Sequence, residues 1–397
     1  MSEHAPSPVK PEVFKSADAG IWFAVFAAAG VIGLIISAIG AVENPAQFGY
    51  SWLVAFMYFF TVTAGCLFWV LVHHATDAEW SVVVRRVLEN VATLLPIALL
   101  LFIPALILAG HIWSWWNIPV GAVSLLDRKR WWLSHGFFTF RYVLYFAGLS
   151  SIALALRRNS VAQDADGNPA RTLRMRKLGI AGIPIFALSL TFSAIDWVMG
   201  LDYKWGSTMW GVYIFAGAAG SAMSLLVLLV TWLRSRGYLK GVTVEHYHIM
   251  GKLMLAFCIF WAYIGFSQYM LIWYANIPEE TSYFIRRNTN SWHTLSTLLV
   301  VGRFFLPLPL LLLQWTKKTT PVICTVAAWM LVMQYLDLYI MIMPMLHKTA
   351  FAPSFLDVST FVGIGGLLGA IFLRLIPKTN LFPLKDPRLP ESLRLSN

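Results

Sequence analysis

The chain has 397 residues, 58% of them hydrophobic and only 12% charged. Soluble domains carry about 45–50% apolar and about 25% charged residues, so a water-exposed globular surface is excluded. The formal charge of +11 does not mark a nucleic-acid binder, because the basic residues lie between long apolar runs and not in one patch.

Residues 1–20 form a polar tail with Pro6, Pro8 and Pro11 and no apolar h-region, so no cleavable signal peptide is expected before the first span. Apolar runs long enough to cross a bilayer then follow at 21–42, 51–73, 91–112, 135–156, 178–200, 209–233, 249–275, 293–315, 320–346 and 354–376. Their length and lack of alternation specify helices and not barrel strands. The expected fold class is all-α, a polytopic membrane protein with ten transmembrane helices. Eighteen tryptophans suit a chain with two membrane–water interfaces to anchor. The segment 111–132, which holds five of them, reads as an interfacial anchor or as a surface for a partner subunit. The turn-rich stretch 157–177 reads as the longest loop. Pro96, Pro104, Pro184, Pro307 and Pro309 interrupt spans, as kinks or as unwound transporter-like segments.

The 30 Lys and Arg residues orient the chain. Twenty fall on the side of both termini, seven on the other, and Arg141, Lys252 and Arg303 lie in or at the edge of spans. The positive-inside rule therefore puts both termini in the cytoplasm.

An internal echo organises the spans. The third leaves the membrane as IWSWWNIP (112–119) and the seventh as IWYANIP (272–278). Trp132, His135 and Arg141 open the fourth span; Trp292, His293 and Arg303 open the eighth. IDWVM (195–199) and LDLYIM (336–341) follow. This pattern implies two parallel four-helix bundles, at 51–205 and 206–350. A first helix (21–50) and a last helix (351–376) flank them, with tails at 1–20 and 377–397. Each unit then sets an Arg on its third helix against an Asp on its fourth. Lone charges at that depth cost about 2.5–3.5 kcal/mol each, so Arg141–Asp196 and Arg303–Asp337 are expected to face each other. Two readings stand: static pairs that lock helices, or members of a proton route. Gln268, Lys252, His246, His248 and Glu89 extend the second reading toward the cytoplasm. Small-residue runs at 216–220 and 365–369 are helix contacts.

Cys66, Cys258 and Cys324 stand singly, and eight of the nine His residues fall at span ends. That pattern supplies neither a cysteine cluster site nor facing imidazoles for haem, so no metal or redox cofactor is expected on this chain. No nucleotide or hydrolase motif appears in a fitting context.

Ten spans without cofactor ligands resemble the polysulfide-reductase-type (NrfD-like) membrane subunits. HHATDAEW (73–80) with Arg85 and Arg86, DWVMGLDY (196–203), GKLMLAF (251–257) and FSQYMLIWYANIP (266–278) resemble one branch more closely. These are the paired membrane subunits of bacterial alternative complex III, a quinol:cytochrome c oxidoreductase. The short tails resemble the smaller, ActF-type, paralogue.

The resemblance implies a non-catalytic subunit of the bacterial inner membrane, structural or proton-translocating. It implies a paralogous ten-helix partner, and iron–sulfur clusters and c-type haems on other subunits. Lipids, and menaquinol or ubiquinol as a possible ligand, complete the expected partners. Direct quinol binding by this chain and a stand-alone secondary transporter are the alternative functions.

Overall fold

The structure, a computed structural model, describes residues 10–396. Residues 1–9 of the N-terminal tail, with His4, and Asn397 lie outside the described residues. The described chain is 80% helical and has no strand. Ten helices are long and apolar enough to cross a membrane, so the chain is an all-α polytopic protein. In order they are α1 Trp22–Glu43, α2 Pro45–Ala75, α3 Glu79–Ile107, α4 His135–Asp166 and α5 Pro169–Leu201. Then come α6 Trp210–Ser235, α7 Val244–Ala275, α8 Asn290–Leu312, α9 Thr320–Met345 and α10 Phe355–Lys378.

The stretch 157–177, expected as a loop, is mostly helix. α4 continues to Asp166, Gly167 turns the chain in the left-handed region at φ 64°, and Asn168 caps Pro169 and the next turn through Ala170 N–H. Polarity marks where a helix leaves hydrocarbon, whereas a helix ends at Gly, Asn and Pro. The other large departure concerns tryptophan. Trp113 and Trp115 are fully buried, and the Trp113 indole donates to the Trp197 carbonyl at 3.2 Å. Interfacial anchoring is thus excluded for these two; Trp131 remains exposed.

α2 is the hub, buried along most of its length, with α3, α5, α6, α9 and α10 packed around it. Spans 2–5 and 6–9 pack in the same pattern: the first helix touches the second and fourth, and the third touches the fourth. α1 and α10 pack on each other. Their seam is glycine on glycine, since a Cβ on Gly33 would lie 2.5 Å from Gly363 N and one on Gly30 2.7 Å from Leu367 N. Backbones this close gain dispersion contacts that any side chain would break.

The two described ends of the chain lie on one face, called the termini face below. Val13 bridges Asn380, and Leu381 N–H donates to the Glu12 carbonyl at 2.8 Å. The segment after α10, expected as a tail, is part of the fold. Leu381 and Leu389 are buried, Ser392 Oγ donates to the Trp80 carbonyl at 3.0 Å, and Asp386 meets Arg85 at 2.5 Å. Burial opposes ionisation of Asp386, but the Arg85 and Arg388 guanidiniums outweigh it and hold the carboxyl well below the usual range.

Gly33→Val is expected to cost about 1–3 kcal/mol by forcing α1 from α10. Gly136→Ala, with open space around it, is expected to leave the melting temperature in detergent unchanged. The Asp386 contribution is full above the unfolded carboxyl pKa of about 3.9 and is lost as pH falls below it. Limited proteolysis is therefore expected to release the 379–396 segment on acidification, and in Asp386→Asn at neutral pH.

Candidate functional site: two buried arginine–aspartate pairs

Arg141 on α4 and Asp196 on α5 are 3% and 1% exposed, and they meet in a fork. Arg141 Nε donates to Asp196 Oδ2 and Nη2 to Oδ1, both at 2.8 Å. Bidentate geometry of this kind is the strongest form of the pair. Tyr145 OH donates to Oδ2 at 2.7 Å and the Trp132 indole to Oδ1 at 2.8 Å. The remaining guanidinium nitrogen donates to the Trp132 carbonyl at 2.9 Å. The Trp132 and Phe137 rings cover the cation at 3.9 and 4.4 Å. Every polar atom of this pair is satisfied, and it reads as a lock between α4 and α5.

The second pair is built differently. Arg303 on α8 reaches Asp337 on α9 through one nitrogen, Nη1 to Oδ2 at 2.6 Å. Tyr213 OH on α6 donates to Oδ1 at 2.7 Å and the Trp261 indole on α7 to Oδ2 at 3.0 Å. Arg303 Nη2 donates to Gln334 Oε1, and Nε has no partner. Four helices thus converge on one carboxylate.

The backbone under Arg303 explains its reach. Residues Val301–Phe305 form a π-turn, with Leu306 N–H bonded to the Val301 carbonyl at 2.9 Å. Pro307 has no N–H, so the Arg303 carbonyl loses its helical donor and accepts instead from Cys258 Sγ at 3.4 Å. The shifted register also frees the Gly302 carbonyl, which takes the Trp329 indole at 2.6 Å. π-turns of this kind collect at functional positions. Gly217, read from sequence as a helix contact, makes room for the pair: a Cβ there would sit 2.7 Å from Gln334 Oε1 and 3.0 Å from Arg303 Nη2.

The other expected path residues do not join this site. Gln268 is buried on α7 but donates to neither carboxylate. Glu89 lies near the termini face among Arg85, Arg86 and Arg157 at 3.2–3.6 Å and accepts from Ser160 Oγ at 3.0 Å. His246 accepts from Thr243 N–H as a helix cap at 3.0 Å, and His248 faces Glu245 at 3.6 Å. Lys252 is exposed and meets no carboxylate among the described residues. Glu89 belongs to α3 and the histidines to α7, with no hydrogen bond joining the two groups among the described residues. Among the described residues, no chain of direct side-chain hydrogen bonds links Lys252 or Glu89 to Asp337.

Lys317 is another buried cation at this end, and its Nζ donates to the Leu311, Leu312 and Leu313 carbonyls around the end of α8. Burial, and then Lys252, push its ammonium below the usual lysine range.

Sequence reasoning missed Tyr145, Tyr213 and Trp261, which supply the carboxylates' other donors, and a further buried carboxylate, Asp357 at the start of α10. Ser354 and Asp357 form a capping box, which is how that spacing reads in a sequence. No family model matches the chain, and no curated protein matches it.

Asp196→Ala is expected to destabilise the fold by about 3–5 kcal/mol by leaving Arg141 buried without its partner. The double variant Arg141→Met with Asp196→Leu is expected to recover most of that loss. Asp337→Ala is expected to cost less, because Arg303 keeps Gln334. Thermal unfolding in one detergent ranks the three.

Proposed function

We propose that this chain is the smaller ten-helix membrane subunit of a respiratory quinol:cytochrome c oxidoreductase of the alternative complex III type. In this reading it sits in the bacterial cytoplasmic membrane with both termini inside. It carries no redox centre and couples proton movement to electron transfer on cluster- and haem-bearing partners. The family part of the proposal is supported by the resemblance of the segments at 73–80, 196–203, 251–257 and 266–278.

The proton-conducting part rests on one observation, the unequal construction of the two pairs. Asp337 has a single contact to its arginine, and Tyr213 beside it can donate or accept. When the carboxylate takes a proton, Arg303 keeps Gln334 and, at 3.5 Å, the Met333 carbonyl. Asp196 has no such freedom, since protonation would leave Arg141 with one backbone carbonyl. Asp337 is accordingly the carboxylate that changes state, and Asp196 the one that holds the helices.

The apolar groove between α1, α2, α6 and α10, about 340 Å³ with Thr63 as its one polar side chain among the described residues, suits a lipid or isoprenoid tail more than a quinol headgroup. That favours this reading over direct quinol oxidation by this chain.

The test is Asp337→Asn in the complex purified in mild detergent and reconstituted in vesicles. Co-migration with multi-haem c subunits, retained electron transfer and loss of most proton uptake are the expected results. Unchanged proton uptake, or a chain that purifies alone and active, overturns the proposal.

A further inference from the structure

Asp357 is 6% exposed, and no Lys, Arg or His nitrogen lies within 4 Å of its carboxylate among the described residues. Its oxygens are held by neutral donors. Ser51 Oγ donates to Oδ1 at 2.5 Å and Gln47 Nε2 to the same oxygen at 3.2 Å, both from α2. Tyr339 OH from α9 donates to Oδ2 at 3.0 Å, and Ser354 N–H to Oδ2 at 2.9 Å. A capping box needs the Ser354 contact alone; the other three are side chains brought from two other helices.

The surroundings connect this carboxylate to the face opposite the termini. Gln47 Oε1 is hydrogen-bonded to His347 Nε2 at 2.7 Å, and His347 is only partly buried. Gln47 and Ser354 also line a cavity of about 340 Å³ with Glu43 and Asn44. The groups that face Asp357 are Gln47 and Ser51 on α2, Tyr335 and Tyr339 on α9, and Ser354 on its own element. Glu43 on α1 lines the cavity beside them.

We propose that Asp357 is a proton-binding site open to the face opposite the termini, separate from the two arginine pairs. The chemistry lies in its partners. An arginine can only donate, so protonating Asp196 leaves Arg141 short of its acceptors, and protonating Asp337 leaves Arg303 to Gln334 and the Met333 carbonyl. A hydroxyl can donate or accept. When hydronium in the cavity passes its proton inward beside Gln47 and Ser354, its O–H bond breaks and leaves water, an O–H bond forms on the carboxyl, and Ser51 or Tyr339 turns from donor to acceptor. No cation loses its acceptor when the proton binds. The ligand is a proton and not a metal ion, since Gln47 Nε2 and Ser354 N–H hold hydrogens toward the carboxylate and two hydroxyls fall short of a hard cation's roughly six to eight oxygen ligands. The site needs only this chain and does not rest on membership of a respiratory complex.

The experiment is an infrared pH titration of the purified full chain in nanodiscs, reading the C=O stretch of protonated carboxyl groups. The expected result is one titrating band, isolated from those of the chain's other carboxyl groups as a difference spectrum, that Asp357→Asn removes and that Asp196→Asn, Asp337→Asn and Glu43→Gln leave in place. Tyr339→Phe and Ser51→Ala, which keep the carboxyl but remove a reversible hydroxyl, are expected to move the midpoint of that band. His347→Gln is expected to leave its amplitude intact. The proposal is overturned if the band survives in Asp357→Asn, if it disappears in Glu43→Gln, or if neither hydroxyl variant moves it. Should Asp357→Asn fail to fold, the two hydroxyl variants alone decide.

Discussion

A charge held away from water must be answered, and this structure is arranged around how the buried aspartates of α5, α9 and α10 are answered. Asp196 receives a forked arginine, a tyrosine and an indole; Asp337 receives one arginine nitrogen, a tyrosine and an indole; Asp357 receives neutral donors only. The order is one of decreasing fixed counter-charge. It is also an order of increasing ability to gain a proton without stranding a cation. Helix placement follows from these needs. α6 and α7 carry Tyr213 and Trp261 to a pair formed by α8 and α9, so the second bundle closes on its own carboxylate.

The same accounting governs the backbone. Proline in a span frees carbonyls that hydrocarbon cannot solvate. In α3, where Pro96 and Pro104 break the helix, the Leu101 carbonyl accepts the Trp52 indole at 2.8 Å and the Leu99 carbonyl accepts the Tyr142 hydroxyl. At the π-turn of α8 the same service comes from Trp329 and Cys258. On the face opposite the termini, Arg287 donates to the Ile340 and Met341 carbonyls near the end of α9. Burial lowers that guanidinium to about 10, although its three carbonyl partners are those of a cation at a helix C-terminus. Much of the chain's tryptophan is therefore spent on interior carbonyls and carboxylates and not on the interface.

The spans and both arginine–aspartate pairings were legible in the sequence because charge is so scarce there that Arg141, Asp196, Arg303 and Asp337 stand out. Their remaining partners were not. Tyr145 and Trp132 come from α4 and the segment before it, while Tyr213 and Trp261 come from α6 and α7. The echo between the two halves therefore carries the charges but not the donors around them. Asp357 was hidden by a spacing that also serves as a helix cap. The stretch 157–177 was misjudged because polarity stood in for a chain break. Glu89 and Lys252 were grouped by depth along the sequence, a measure blind to which side of which helix a residue occupies.

The glycine seam between α1 and α10 bears on how the molecule is made. The surface of the first span that carries Gly30 and Gly33 fits one neighbour, and that neighbour is the last of these ten spans to leave the ribosome. Until α10 inserts, α1 has lipid where its closest contact belongs, and the buried salt bridge between Arg85 and Asp386 has no acidic member. The closest helix contact of this ten-helix bundle is therefore made only after the tenth span has been synthesised.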